Sequence, residues 1–212
     1  MIRVILADDH LLIRQGLRRL LEDARDIEVV GEASTGHETL GLIARKSCSL
    51  LLLDISLPDR SGLDILKDVH ALKPRLPVLI LSVHPEEQYA IRAIRAGASG
   101  YLMKAAAADE LLEAVRRTGG GGKYITPRVA EKLAETFQEG PGAERPPHEQ
   151  LSDREFEVLE RIATGLSIAD IASALKLSPK TISTYRTRIL QKMKLKNSAE
   201  LMHYAFEHGL VT

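Results

Sequence analysis

The chain has 212 residues, 44% hydrophobic and 27% charged, and its 29 basic and 29 acidic side chains cancel. That length suits two small domains, and zero net charge excludes a uniformly charged body, so any surface for nucleic acid must be local. Cys48 is the only cysteine, which excludes an intramolecular disulfide, and no apolar run approaches the roughly 18 residues of a membrane span.

The first predicted element is a strand, Ile2–Ala7, short, apolar and rich in β-branched residues. Acids follow it where a signal peptide would continue its apolar core, so a cytoplasmic protein without a membrane partner is expected. A helix is predicted over Leu11–Ala24, with Leu12, Gly16 and Leu20 on one stripe and Leu17 and Leu21 beside it. Strand Glu28–Ala33, helix Gly36–Lys46, strand Leu50–Leu53 and helix Leu63–Leu72 come next. Strand Pro77–Leu81, helix Glu86–Ala96, strand Gly100–Met103 and helix Asp109–Arg117 complete the alternation. Strands alternating with helices imply a parallel sheet covered on both faces, and the near-total apolarity of these strands fits that burial.

The polar residues fall at one edge of that sheet. Asp8 and Asp9 follow the first strand, Asp54 ends the third, Ser82 follows the fourth and Lys104 the fifth. These are carboxyl ends of parallel strands, where open α/β sheets bind ligands. Each has a bland explanation when taken singly: Asp9 and Ser82 could cap the helices that follow them. Together they make a chemical set. Clustered carboxylates repel, and a magnesium ion, which prefers oxygen ligands, relieves that repulsion. A lysine supplies a point charge for phosphate oxygens, and a serine hydroxyl a donor. The set suits a carboxylate that attacks phosphorus and becomes an acyl phosphate, with Asp54 as nucleophile on the central strand.

With these residues in place, the first domain, residues 1–122, resembles a response-regulator receiver domain through Asp8-Asp9, Asp54 within LLLDISLPDRSG, Ser82, Tyr101 and Lys104. The resemblance implies a flavodoxin-like sheet of order 2-1-3-4-5. It implies Asp54 as the phosphoacceptor for a sensor histidine kinase, and Mg2+ held by Asp8, Asp9, Asp54 and the backbone carbonyl of Ser56. It further implies Lys104 on the phosphoryl group, with Ser82 and Tyr101 as switch residues. One departure is Ala105, where the family commonly has proline after the lysine. A cis bond there is common with proline but would cost about 2.5–4 kcal/mol with alanine.

Residues 123–148 read as a linker containing a short helix from Pro127 to Phe137, with Val129, Leu133 and Phe137 spaced by four. Its end, Gln138 to His148, holds two glycines and three prolines without apolar periodicity. The second domain, 149–212, reads as four helices. Ser152 and Glu155 form a capping box, Gly165 ends the first helix, Ser167 caps the second, and Ser178-Pro179 starts the third. A fourth runs from Ser198 to about His208. Helix, short turn and helix at this spacing place a recognition helix in the major groove.

The neutral total hides a local cluster. From Lys176 to Lys196 there are seven basic residues and no acid. At about 100° per residue, Ile182, Ile189 and Met193 share one face, and Lys180, Thr184, Thr187, Arg188 and Gln191 the opposite one. The segment resembles a LuxR-type helix-turn-helix, carried by LSDREFEVLERIATGLSIADIASALKLSPKTISTYRTRILQKMKLKNSAELMHYAFEHGLV. That resemblance implies Thr181, Ser183, Thr184, Thr187 and Arg188 approaching promoter DNA, with Lys180, Lys192 and Lys196 on phosphates. Tyr185 and Arg188 depart from the family's frequent histidine and asparagine. The final helix commonly makes a homodimer. Here Ala199, Met202, His203 and Phe206 form such a face, unless Met202 and Phe206 belong to the core.

The two resemblances together imply a NarL/FixJ-type two-component response regulator: a DNA-binding transcriptional regulator rather than an enzyme, with RNA polymerase as a further partner. A phosphohydrolase would need a second acid two residues after the nucleophile, where Ser56 stands. A phosphate-binding loop at Gly119–Lys123 would need glycine at the position of Arg117 and serine or threonine at that of Tyr124. A regulator indifferent to phosphorylation would not need the complete acidic set. His37, His84 and His148 read as exposed, and Cys48 as buried and inert.

Overall fold

The computed structural model describes residues 1–84, 86–138 and 146–211. The chain forms two compact units, 1–140 and 141–212. In the first, strands β1 (Ile2–Ala7), β2 (Ile27–Ala33), β3 (Leu50–Asp54), β4 (Val78–Ser82) and β5 (Gly100–Met103) alternate with helices. The helices are α1 (Leu11–Glu22), α2 (Gly36–Arg45), α3 (Gly62–Leu72), α4 (Glu86–Arg95) and α5 (Ala108–Gly119). The five-stranded sheet is parallel, in the order β2-β1-β3-β4-β5. Only parallel strands with helices on both faces tolerate segments such as LLLLD and VLILS, which are buried at every position. One side of the core gathers Val4, Leu6, Leu50, Leu52, Leu79, Leu81 and Leu102 against Leu111, Ala114 and Val115 of α5.

Helix α1 departs from expectation at the start of its predicted stripe. Leu12 is 82% exposed, and Gly16 is exposed too. Leu17 and Leu20 pack against the core and Leu21 is buried within it, as the pattern predicts. Neighbouring helical positions differ by about 100°, so residues at the edge of a stripe face solvent.

The segment read as linker divides between the units. Tyr124 is buried and forms a parallel bridge with Gly100, its N–H donating to the Ser99 carbonyl at 2.8 Å. Helix α6 (Pro127–Gln138) packs on α4 through a face that includes the buried Val129. The Phe137 side chain and the stretch 139–145 lie outside the described residues.

The second unit begins with a 3₁₀ turn, Pro147–Gln150, followed by α7 (Asp153–Ala163), α8 (Ile168–Ala174), α9 (Pro179–Met193) and α10 (Ser198–Glu207). The Ser152–Glu155 capping box is formed, and Ser167 and Ser178 cap α8 and α9. Asn197 caps α10. Phe156, Val158, Leu159, Ile171, Ile182, Ile189, Met193 and Leu201 make the core. No helix among the described residues is long and apolar enough to cross a membrane.

Candidate functional site

Strand register assembles the acidic pocket. Ala7 lies opposite Leu53, and Asp54 opposite Leu81, so the residues leaving these strands emerge side by side. Asp8 and Asp54 are 0% and 1% exposed. The Lys104 ammonium, reaching over from β5, lies 2.7 Å from Oδ2 of each. With Asp54 the contact is a hydrogen bond, and with Asp8 an ion pair. Ser56 N–H donates to the other Asp54 oxygen at 3.1 Å. Asp8, Asp9, His10 and Asp54 offer ligand atoms that all lie within 4.8 Å of one another. Buried carboxylate oxygens this close to one another fit a divalent cation.

The electrostatics follow from the geometry. Burial raises the Asp54 pKa above the ordinary carboxylate value, against the pull of Lys104. For Lys104 burial acts downward, but Asp54 and Asp8 outweigh it and the ammonium is held above its usual value. The two groups lie 2.7 Å apart with almost no solvent access, so removing either one leaves the other buried without a partner.

Neighbouring residues show where the expected switch groups stand. Ser82 is fully buried, and its Oγ accepts from the His84 N–H at 3.0 Å. Lys104 N–H donates to the Ser82 carbonyl. Tyr101 is buried, and its hydroxyl donates to the His84 carbonyl at 2.8 Å. His84 is half-buried rather than exposed, stacked on Tyr89 with ring centroids 4.4 Å apart. Asp9 does not cap α1: the N-cap is His10, whose side chain makes no capping bond. No peptide bond among the described residues is cis, the Lys104–Ala105 bond included.

Two contributors had no role assigned to them from the sequence. A Cβ on Gly62 would stand 2.5 Å from the Asp54 carbonyl oxygen and 2.7 Å from the Ile55 Cα, so only glycine lets α3 start against the Asp54 backbone. Asp59 accepts from Gly36 and His37 N–H at 2.8 and 3.0 Å, tying the loop after β3 to the start of α2. The glycine in PDRSG was a usable signal; the Asp59 contact, 23 residues away in sequence, had none. Cys48 is half-buried, and burial pushes its thiol pKa up, which makes it a poor nucleophile.

On the second unit, the outer face of α9 is as expected. Lys180, Ser183, Thr184, Thr187, Arg188, Gln191 and Lys192 are exposed, as is Lys196 beyond the helix. Thr181 is half-buried beside Ser178 Oγ at 2.8 Å. Two basic residues have internal work: Arg186 donates to Ser198 Oγ at 2.7 Å, and Lys192 meets the buried Glu155 at 2.6 Å. Burial opposes ionisation of Glu155, but the hydrogen bonds from Lys192 and Ser152 prevail and lower its pKa. Met202 and Phe206 are 37% and 72% exposed, so they are surface and not core, and Ala199 and His203 are exposed with them. His148 is half-buried, against the expectation of exposure, with Nδ1 2.9 Å from the Tyr204 hydroxyl.

Known proteins share both halves. The response regulator receiver domain matches residues 4–116, and the luxR family of bacterial regulatory proteins matches 149–205. Response regulator UvrY of Escherichia coli K12 is 37% identical over 210 residues, covering 99% of this chain and 96% of UvrY. A structure of RcsB from Salmonella enterica serovar Typhimurium, bound to promoter rprA in the presence of phosphomimetic BeF3−, superposes with a TM-score of 0.62 at 25% identity. It covers 96% of this chain and 97% of that one. A second structure, of two RcsB dimers bound to two parallel DNAs, gives a TM-score of 0.58 at 26% identity over 100% and 99% of the chains. A receiver sheet with its acidic pocket and a capped four-helix unit thus occur here in the order these relatives share, and the chain belongs to the NarL/FixJ-type response regulators, two-component transcriptional regulators with a LuxR-type DNA-binding domain.

Proposed function

We propose that Asp54 accepts a phosphoryl group from a sensor histidine kinase and that this mark governs how the second unit grips promoter DNA. The observation that carries the reading is the buried Asp54 carboxylate at the end of the central strand, within 2.7 Å of the Lys104 ammonium. An Asp54 oxygen bonds to phosphorus as the phosphohistidine P–N bond breaks, and the histidine nitrogen stays with the kinase. Lys104 then exchanges its carboxylate partner for a phosphoryl oxygen. Asp8, Asp9, Asp54 and the Ser56 carbonyl would hold Mg2+. When bound, that ion neutralises charge on the entering group, which is most of what phosphoryl transfer requires.

The mark adds roughly 1.5–2 negative charges and three acceptor oxygens. Ser82 and Tyr101 both bond to His84, in the loop between β4 and α4. A Ser82 hydroxyl drawn to the phosphoryl group releases the His84 N–H, and Tyr101 loses a fixed acceptor. The surface of β4, β5 and α4 is then the bistable element. On the second unit, Thr181, Ser183, Thr184, Thr187 and Arg188 face base edges, and Lys180, Lys192 and Lys196 face phosphates. A homodimer through α10 on paired half-sites, with RNA polymerase as a further partner, completes the reading. The chain acts as a cytoplasmic signalling protein with receiver residues 1–122, linker 123–148 and DNA-binding residues 149–212.

Incubation with acetyl phosphate and Mg2+ tests this directly. The intact protein gains about 80 Da, one HPO₃ unit, and Asp54→Asn gains nothing. An unmodified wild-type mass sinks the reading.

A further inference from the structure

His10 has no part in that scheme, yet it stands in the pocket. Its backbone N–H donates to Asp8 Oδ1 at 2.7 Å, which pins the residue to the acidic cluster. Its Nδ1 lies 2.8 Å from Asp9 Oδ1 and 3.4 Å from Asp8 Oδ1. The imidazole is 58% exposed, so it stands at the solvent-accessible rim of the pocket, whereas the Lys104 side chain is 6% exposed. Donors on adjacent corners of an octahedron with bonds of about 2.1 Å stand about 3 Å apart, and opposite donors about 4.2 Å. The separations from His10 to the two acids bracket the first value, and the 4.8 Å spread of the set needs only a small contraction to reach the second.

We propose that His10 is a metal ligand, and that its nitrogen turns the pocket toward first-row divalent transition ions in preference to magnesium. The proposal rests on the reading that the acidic pocket holds a divalent cation. An all-oxygen site favours hard ions, whereas imidazole binds Ni2+ and Zn2+ well and Mg2+ poorly. A mixed set of carboxylates and one imidazole follows the Irving–Williams order more steeply than carboxylates alone. The ion would neutralise the same acids, so Asp54 chemistry is retained while the occupant changes. The competing account is that His10 only bonds to Asp9.

The test uses the untagged full chain at one mildly alkaline pH, with Ni2+ and Mg2+ titrated separately by calorimetry. Wild type and His10→Ala are compared, and His203→Ala, in the other unit, controls for surface histidines. His10→Ala weakens Ni2+ binding about tenfold or more and Mg2+ binding by less than about threefold. His203→Ala changes neither affinity at this site. Pulsed electron paramagnetic resonance of the Mn2+-loaded protein shows nitrogen modulation of directly bound imidazole strength, and His10→Ala abolishes it. Either an unchanged Ni2+ affinity or an all-oxygen shell overturns the proposal while leaving the acidic pocket as a cation site. A wild-type protein that binds no divalent ion overturns both.

Discussion

The acidic pocket and the outer face of α9 carry charge in opposite ways. In the pocket, Asp8, Asp54 and the Lys104 side chain are almost wholly buried and held against one another. On α9, Lys180 and Arg188 stand in solvent, while Ile182, Ile189 and Met193 behind them make the core. Buried charges in contact respond to one added group by rearranging, because removing a partner leaves its counterpart uncompensated. Exposed cations meet a polyanion without rearrangement and draw their effect from displaced counterions. The first arrangement suits a switch and the second a grip. Lys192 crosses the divide, since it is exposed on α9 yet bonded to the buried Glu155.

The largest expected effect lies where the buried region has no room. Gly62→Ala puts a methyl group 2.5 Å from the Asp54 carbonyl oxygen, which is backbone and cannot swing away. A loss of about 3 kcal/mol, typical of overpacking, is expected in urea denaturation, together with slower phosphorylation of Asp54. A variant as stable and as readily phosphorylated as wild type would show that the pocket is looser than its geometry.

Next comes the exposed face. Arg188→Ala costs about 1–3 kcal/mol of promoter affinity and relaxes base preference at one position, with stability within about 0.5 kcal/mol of wild type. Lys180→Ala weakens specific and non-specific DNA alike and lowers the salt slope by about one. A large stability loss in either variant would mean that these residues serve the fold, and the contrast between the two regions would fail.

The contrast also governs how much could be read from the sequence. Buried parallel strands announce themselves because nothing polar interrupts them, and LLLLD is followed by no ambiguity about where Asp54 lies. Helix caps were equally plain, since Ser152, Ser167 and Ser178 act within three residues. Long-range pairings had no local trace. The Lys192–Glu155 bond spans 37 residues, and Tyr124 joins the β5 edge through one bridge to Gly100. For that reason the first compact unit extends past Gly122, where composition alone suggested a linker. Leu12 marks a further limit: periodicity locates a helix more securely than it orients one.

Glu155→Gln probes the bond that links the two kinds of charge. The Glu155 pKa is lowered in the folded protein, so its ionised form contributes stability above the ordinary glutamate value of about 4.3. That contribution is lost as pH falls through the lower folded value. Glutamine keeps a capping acceptor and loses the charge. At neutral pH the variant is less stable by about 1 kcal/mol, and the gap closes as pH falls below the ordinary glutamate value and through the lowered folded one. Hydrogen exchange at the α7 amides reads this locally. A gap that persists unchanged into acid would assign the loss to packing and not to charge.

The smallest effect reverses the sign of the first. Gly16 lies within α1 on an exposed surface, and a Cβ built there meets nothing within 4 Å. Its φ is not in the left-handed region, so alanine is compatible with the backbone. The substitution restricts the unfolded chain and leaves native contacts intact, so Gly16→Ala should stabilise the protein by about 0.5–1 kcal/mol. Phosphorylation should be unaltered, because α1 is free of strain at this position. The same added methyl group therefore costs stability beside Asp54 and contributes it on α1. A destabilised Gly16→Ala would reveal that this face of α1 is covered in solution, and that its exposed Leu12 has a partner.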